Sequence, residues 1–436
     1  MTGVTVYSAG LVIPITAPPI PGGAIAVAGG RIRHVGDRAW VIAELAARGE
    51  AFDEVHWPGV LMPGLVNAHS HLQYTGMAEV GRGGYAGFGD WSAAFDAVYA
   101  GGRDWRSDAA AGARMMIEAG TTAVADIVTD AEAGGALHEA GLGGITYWEV
   151  MSWTGPAWAA TGRAQVEAAL DALPSPPGTG LSPHAPYSLD ALPLQEIPDI
   201  VRERGGRIHL HLGEAAFERE ELPPLRDPLP WHDSLPGSFR ELRGAGYGTG
   251  ATEFVDRLGV LGPDCHIAHG VYMTSRDRAL LRARGTSVAL CPRSNAVIGL
   301  DEPPVAAYLV EGSGIAVGTD SLSSSPSLDL LADVAALHRI ARAQGYTDRD
   351  LAERLLRAAT LGGAHALGID TGPDRTGYLA VGALADLAFL DAPTVDAVDA
   401  VELLASDGAG RVAATLIAGV ARHTSPTFAD TTGVRA

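Results

Sequence analysis

Two histidines one residue apart, His69 and His71, end the run LMPGLVNAHSH. Side chains alternate between the faces of a strand, so both imidazoles point the same way and two nitrogens can approach one ion. Three more apolar runs end in the same kind of chemistry. HLHLGE closes on His211, with Glu214 three positions further; His209 shares the inward parity but lies farther from the end. HIAHG carries His269 at its end and His266 deeper, where it reads as a core histidine, and VGTDS puts Asp320 after an apolar stretch. A carboxylate buried there alone would be costly, and a nearby cation removes the cost. His69, His71, His211 and Asp320 form an N3O set suited to Zn²⁺, with Fe²⁺ the second choice, and leave a position for water. Taken singly, each residue has a plainer role: a satisfied histidine at a strand end, or for Glu214 a solvated loop carboxylate. Four polar strand ends together favour one divalent ion as cofactor.

These residues need a scaffold that brings distant strand ends together. Between about residues 61 and 325, eight apolar runs alternate with Ala-rich stretches of helical periodicity: LMPGLVNAH, TTAVADIV, GITYWEVM, GTGLSPHAP, GRIHLHLGE, CHIAHG, SVALCPRSN and GIAVGTDS. One intervening stretch, Asp104 to Gly120, has an Asp to cap its start and a Gly to close its end. The pattern predicts a (β/α)8 TIM-type barrel over residues 61–372, whose working residues gather where the strands end. Residues 1–60 and 373–436 read instead as short strands, with GAIAVAGGRIRHVGD turning at Gly-Gly and TGYLAVGALADLAFLD punctuated by Gly. They are expected to form one composite β-sandwich domain from both termini, the alternative being two separate appendages. ELPPLRDPLP, Glu221 to Pro230, reads as a loop over the barrel mouth.

Composition narrows the function. The chain has 436 residues and a net charge of −20, which repels phosphate backbones, so neither nucleic acid nor an anionic membrane is an expected partner. All 31 basic residues are arginine. Cys265 and Cys291 lack metal or disulfide spacing and are expected simply to pack. The amino terminus lacks a basic n-region and a long apolar h-region, so a cytoplasmic location is expected. A homo-oligomer is compatible with the sequence.

PGLVNAHSHL, SPHAPY, HLGE, HIAHG, CPRSN and GTDS, in this order, resemble the amidohydrolase superfamily in its deaminase and chlorohydrolase branch, over essentially the whole chain. Within the branch, NAHSHLQYTG, SPHAPYSLD and GTDSLSSSPSLDLLAD are most similar to aminodeoxyfutalosine deaminases of the futalosine route to menaquinone, with S-adenosylhomocysteine and methylthioadenosine deaminases next. The resemblance implies hydrolytic deamination of a small aminated heterocycle or nucleoside. Binuclear members commonly bridge two metals through a carboxylated Lys, which this chain cannot supply, so a single ion is expected. The ion would lower the pKa of a water from about 15.7 toward about 7. Asp320 is expected to accept the water's proton as it attacks the ring carbon, Glu214 to protonate the adjacent ring nitrogen, and His269 to orient the attacking oxygen.

By the same resemblance His184 should contact the substrate ring; its plainer role is a hydrogen-bonded histidine in a Pro-stiffened turn. Trp91 either covers the substrate or packs within its helix. The nucleoside deaminases this resembles place a Glu for the ribose diol about nine positions after that Trp, where this chain has Ala100, a departure that counts against adenosyl-type substrates and leaves aminofutalosine, with Glu149 and Gln73 as candidates for contacting the rest of it. Competing readings are adenosine, guanine or cytosine deamination, a triazine-type amino- or chlorohydrolase, and a metal-binding scaffold without activity.

Overall fold

The structure, a computed structural model, describes residues 3–219 and 249–436. Among them eight parallel strands follow one another in sequence order: Leu65–Ser70 (β1), Thr121–Val128 (β2), Gly143–Val150 (β3), Gly178–Pro183 (β4), Arg207–Leu212 (β5), Cys265–His269 (β6), Ser287–Leu290 (β7) and Ile315–Val317 (β8). Each pairs with the next in parallel register, for example Leu212 with His269. This is the expected (β/α)8 barrel, and all eight anticipated runs supply its strands. The seam between β1 and β8 is drawn together by Asn67, whose Nδ2 donates to Thr319 Oγ1 (2.7 Å) while its Oδ1 accepts from the Thr319 backbone N–H (3.2 Å). Just above, the Asp320 N–H donates to the His69 carbonyl at 3.0 Å. The seam therefore fixes His69 and Asp320, 251 positions apart in the chain, as neighbours.

Helices cover the barrel because each buries one stripe. Ala191–Glu203 buries Leu194, Ile197, Ile200 and Val201, the spacing of one helical face. Trp105–Glu118 begins as the sequence requires, with the Asp104 carboxylate accepting from the Ser107 N–H at 3.0 Å, and ends before Gly120 at φ +88°. The loop-like segment Glu221 to Pro230 lies outside the described residues.

Strands from both ends of the chain share a second sheet, in the order Val420–Thr424, Val412–Ile417, Leu387–Leu390, Phe52–Pro63, Val4–Val12, Gly23–Ala28, Arg31–Asp37. Phe52–Pro63 joins the two termini, pairing in parallel with Val4–Val12 and antiparallel with Leu387–Leu390. The Gly-Gly turn is present, with Gly29 and Gly30 at φ +60° and +76°, the positive values a tight hairpin needs. Two expectations are refined. LMPGLVNAH is not one strand: Leu61 to Pro63 finishes in the second sheet and Leu65 opens the barrel. Gly64 makes the transfer, because a Cβ there would lie 2.2 Å from the Thr122 side chain. TGYLAVGALADLAFLD yields one strand, Leu387–Leu390, preceded by turns and a single bridge from Leu384 to Arg31. No helix among the described residues is long and apolar enough to cross a membrane.

Candidate active site

Each side chain at the barrel mouth is aimed by the end of its strand. His69 and His71 lie on one face of the end of β1, with ring centroids 5.1 Å apart. His211 from β5 brings its Nε2 to 3.4 Å from that of His71, and its Nδ1–H donates to the His184 carbonyl at 3.0 Å. That bond leaves Nε2 as the ring's lone-pair nitrogen. Asp320 Oδ1 sits 3.6 Å from His69 Nε2 and 3.8 Å from His71 Nε2. His269 arrives from β6, its Nδ1–H donating to Asn295 Oδ1 at 3.0 Å and its Nε2 facing Glu214 Oε1 at 3.5 Å. Both His269 and Asp320 adopt positive φ, +73° and +58°. Such backbone is costly for a residue with a side chain and persists where surrounding bonds impose it.

The donor set fits a cation. Donor atoms of His69, His71 and Asp320, and of His69, His211 and His269, lie within 4.8 Å of one another. Both ring nitrogens of His69 and Nε2 of His269 are buried without a hydrogen-bond partner. Burial drives the pKa of His69 and His211 well below the usual histidine value and that of His71 to about 4, so these rings are neutral at physiological pH, the form in which an imidazole can hold a cation. Packing so many unpaired nitrogens around a carboxylate would be expensive without a positive ion among them.

Two carboxylates flank this centre under different constraints. Asp320 Oδ2 accepts from Ser294 Oγ (2.7 Å) and Ser324 Oγ (2.8 Å), and Oδ1 from the Ser321 N–H (2.8 Å). Glu214 is 4% exposed, and burial raises its pKa, opposed by His269 and a hydrogen bond from Tyr187. The cavity above has a volume of about 190 Å³, with Tyr74, Phe88, Trp91 and Phe95 as an aromatic wall.

Of the expected substrate contacts, His184, Trp91 and Glu149 line this cavity. His184 is held through Nδ1 by Ser188 Oγ at 2.9 Å. Trp91 lies on the helix Phe88–Tyr99 and its indole N–H donates to the Ser323 carbonyl at 2.9 Å, so it both packs and lines the cavity. Glu149 Oε1 is buried without a hydrogen-bond partner, 3.7 Å from His211 Nδ1, and burial raises the Glu149 pKa well above the ordinary value. Gln73 is not brought to the cavity. Its Nε2 donates to Thr129 Oγ1 (2.6 Å) and Asp130 Oδ2 (2.9 Å) and its Oε1 accepts from the Thr129 N–H (2.9 Å), which ties it to the end of β2 instead. His266 is the expected core histidine, donating from Nε2 to the Ala68 carbonyl at 2.9 Å. Cys265 and Cys291 are buried and free. Ser294, Ser324 and Asn295, which aim the carboxylate and a histidine, were not singled out by sequence; CPRSN and SLSSS contain them, but nothing in those strings says which hydroxyl reaches Asp320.

Fold and site together define a (β/α)8 hydrolase with a histidine–carboxylate centre. A model of the amidohydrolase family matches residues 60–422, and the chain belongs to that family, in its deaminase branch, as a hydrolase of C–N bonds. A 5-methylthioadenosine/S-adenosylhomocysteine deaminase of Halobacterium salinarum is 33% identical over 350 residues, covering 76% of this chain and 73% of its own. The crystal structure of an adenosine deaminase from Xanthomonas campestris with bound zinc has a TM-score of 0.77 at 26% identity, covering 96% of this chain and 93% of the other. The aminofutalosine deaminase of Helicobacter pylori, in complex with methylthio-coformycin, shares the fold with a TM-score of 0.80 at 19% identity, covering 96% and 99%.

Proposed function

We propose that this chain hydrolytically deaminates a 6-aminopurine nucleoside, with His69, His71, His211 and Asp320 holding one divalent ion, zinc before iron. The observation that carries the reading is the convergence of four histidines and two carboxylates, from four strand ends, on the floor of one aromatic-walled cavity. When bound, the ion acidifies water from about 15.7 toward about 7. Asp320, its Oδ2 occupied by two serine hydroxyls, keeps Oδ1 toward the centre and takes the proton of the attacking water. Glu214, whose raised pKa suits it to hold a proton, delivers that proton to the ring nitrogen beside the reacting carbon. His269 Nε2, with its tautomer set by Asn295, orients the oxygen being added. The proton on Asp320 then passes to the amino group, the C–N bond breaks, ammonia leaves, and the proton of the new hydroxyl returns to a carboxylate as the ring carbonyl forms. The aromatic wall suits a purine face, and His184 and Glu149 supply polar contacts.

The 33% identical relative favours 5′-methylthioadenosine and S-adenosylhomocysteine as first substrates over 6-amino-6-deoxyfutalosine, whose named deaminase is similar to this chain at the level of fold. Ammonia release from those three, adenosine, guanine, cytosine and an aminotriazine, measured with metal content, is the test. Turnover of an adenine nucleoside at kcat/KM above about 10⁴ M⁻¹s⁻¹ is expected. No release from any substrate by metal-loaded protein would defeat the deaminase reading.

A further inference from the structure

The turn after β5 carries Glu214, and its main chain is held from both sides. The Gly213 carbonyl accepts from the N–H groups of Val271 (2.9 Å) and Tyr272 (2.8 Å), in the turn after β6. On the other side, three consecutive N–H groups converge on one side chain: Gly213 N–H donates to Glu218 Oε2, and Glu214 N–H and Ala215 N–H both donate to Glu218 Oε1, each at 2.9 Å. Gly213 makes this convergence possible at φ +66°; a Cβ there would also meet Met273 Cε at 2.7 Å. Glu218 is 2% exposed and is not among the described residues lining the active cavity. A single carboxylate thus accepts from three successive peptides of the turn and touches no substrate space.

We propose that Glu218 is the positioning residue of the catalytic turn: by gathering the N–H groups of residues 213–215 it sets the direction in which Glu214 leaves the backbone. The inference rests on the reading of Glu214 as proton donor to the ring. Burial pushes the Glu218 carboxyl up to about 7 while the N–H groups of residues 213–215 favour its charged form, and an amide in its place has one acceptor oxygen where the carboxylate has two. Direction matters here because proton transfer needs the donor within about 2.6–3.2 Å of the ring nitrogen, and a misplacement of about 1 Å can cost 10²-fold in rate. The plainer alternative is a buried glutamate that stabilises the fold without bearing on Glu214.

The experiment uses the full-length, metal-loaded enzyme and the variants Glu218→Gln, Glu218→Ala and Glu214→Gln. Glu218→Gln keeps the size of the side chain but places an amide nitrogen against at least one N–H donor. Expected for it are unchanged metal content, kcat lowered about 10–100-fold with KM within about threefold, and faster hydrogen exchange confined to the amides of 213–215. Glu218→Ala should push both changes further. Parental kcat in Glu218→Gln would overturn the proposal, as would a change in KM alone or faster exchange spread through the barrel strands, which marks a general loss of stability. Should Glu214→Gln keep its turnover, the role of Glu214 itself fails. An inactive Glu214→Gln beside a fully active Glu218→Gln removes only the positioning role.

Discussion

The turn after β8 and the turn after β5 present the two carboxylates of the barrel mouth, Asp320 and Glu214, by opposite means. Around Asp320 the constraints act on the carboxylate itself: Ser294, Ser324 and the Ser321 N–H leave Oδ1 facing His69 and His71. Around Glu214 they act on the backbone, through Glu218 below and Val271 and Tyr272 alongside, while the carboxylate faces His269 and Tyr187. The first arrangement fixes a carboxylate oxygen at one point. The second fixes where the side chain starts and leaves its tip buried, which raises its pKa and fits the proton-donor role proposed for it. One barrel mouth thus holds one carboxylate pinned at its oxygens beside His69 and His71, and another pinned at its backbone beside His269.

The largest effects should come from the carboxylates themselves. Asp320→Asn and Glu214→Gln are each expected to lower kcat by about 10²–10⁴, but only Asp320→Asn should also lose bound metal. Equal metal content in the two variants would erase the contrast. Next, chelation should abolish turnover and lower the melting temperature, with both restored by added Zn²⁺ or Fe²⁺, because the neutral rings of His69 and His211 lose the ion that pairs them. A metal-free protein with parental melting temperature would show that the cluster tolerates its unpaired nitrogens. The serines sharpen the Asp320 side. Ser294→Ala or Ser324→Ala alone removes one of two hydroxyls on Oδ2 and should cost about 0.5–1.5 kcal/mol, whereas the double variant should weaken metal affinity about 10–100-fold. Metal titration measures both, and an unchanged double variant would mean that the serines do not aim the ligand. The smallest effect is expected at Asn295→Ala, which releases His269 Nδ1: a fall in kcat of about tenfold, with metal content unchanged, read from steady-state kinetics.

The barrel strands, the sheet built by both termini, and the histidines and carboxylates that meet at the barrel mouth could be read before the structure, because each has a local signature. Period-two alternation puts His69 and His71 on one face, and a polar residue ending an apolar run marks Glu214, His269 and Asp320. Residues whose role depends on a distant partner could not be read this way. Ser294 reaches Asp320 across 26 positions, and Asn67 reaches Thr319 across 252. Gln73 shows the converse: its place near the histidine pair suggested a substrate contact, but Thr129 and Asp130 at the end of the neighbouring strand occupy its amide.

Residue types and their spacing were enough to select a barrel and the candidates for a cation site, and the resemblance of the motifs to the amidohydrolases added the hydrolytic chemistry. Alternation, capping and apolar runs are short-range, and they act within a few residues along the chain. Barrel closure decided which polar groups share a centre and which oxygen of Asp320 faces it. It also decided that Glu218, rather than any neighbour of Glu214, collects the turn. Hydrogen bonds and coordination form over about 3 Å, and the closing of β1 onto β8 is what brings Asn67 and Thr319, 252 positions apart, within that distance.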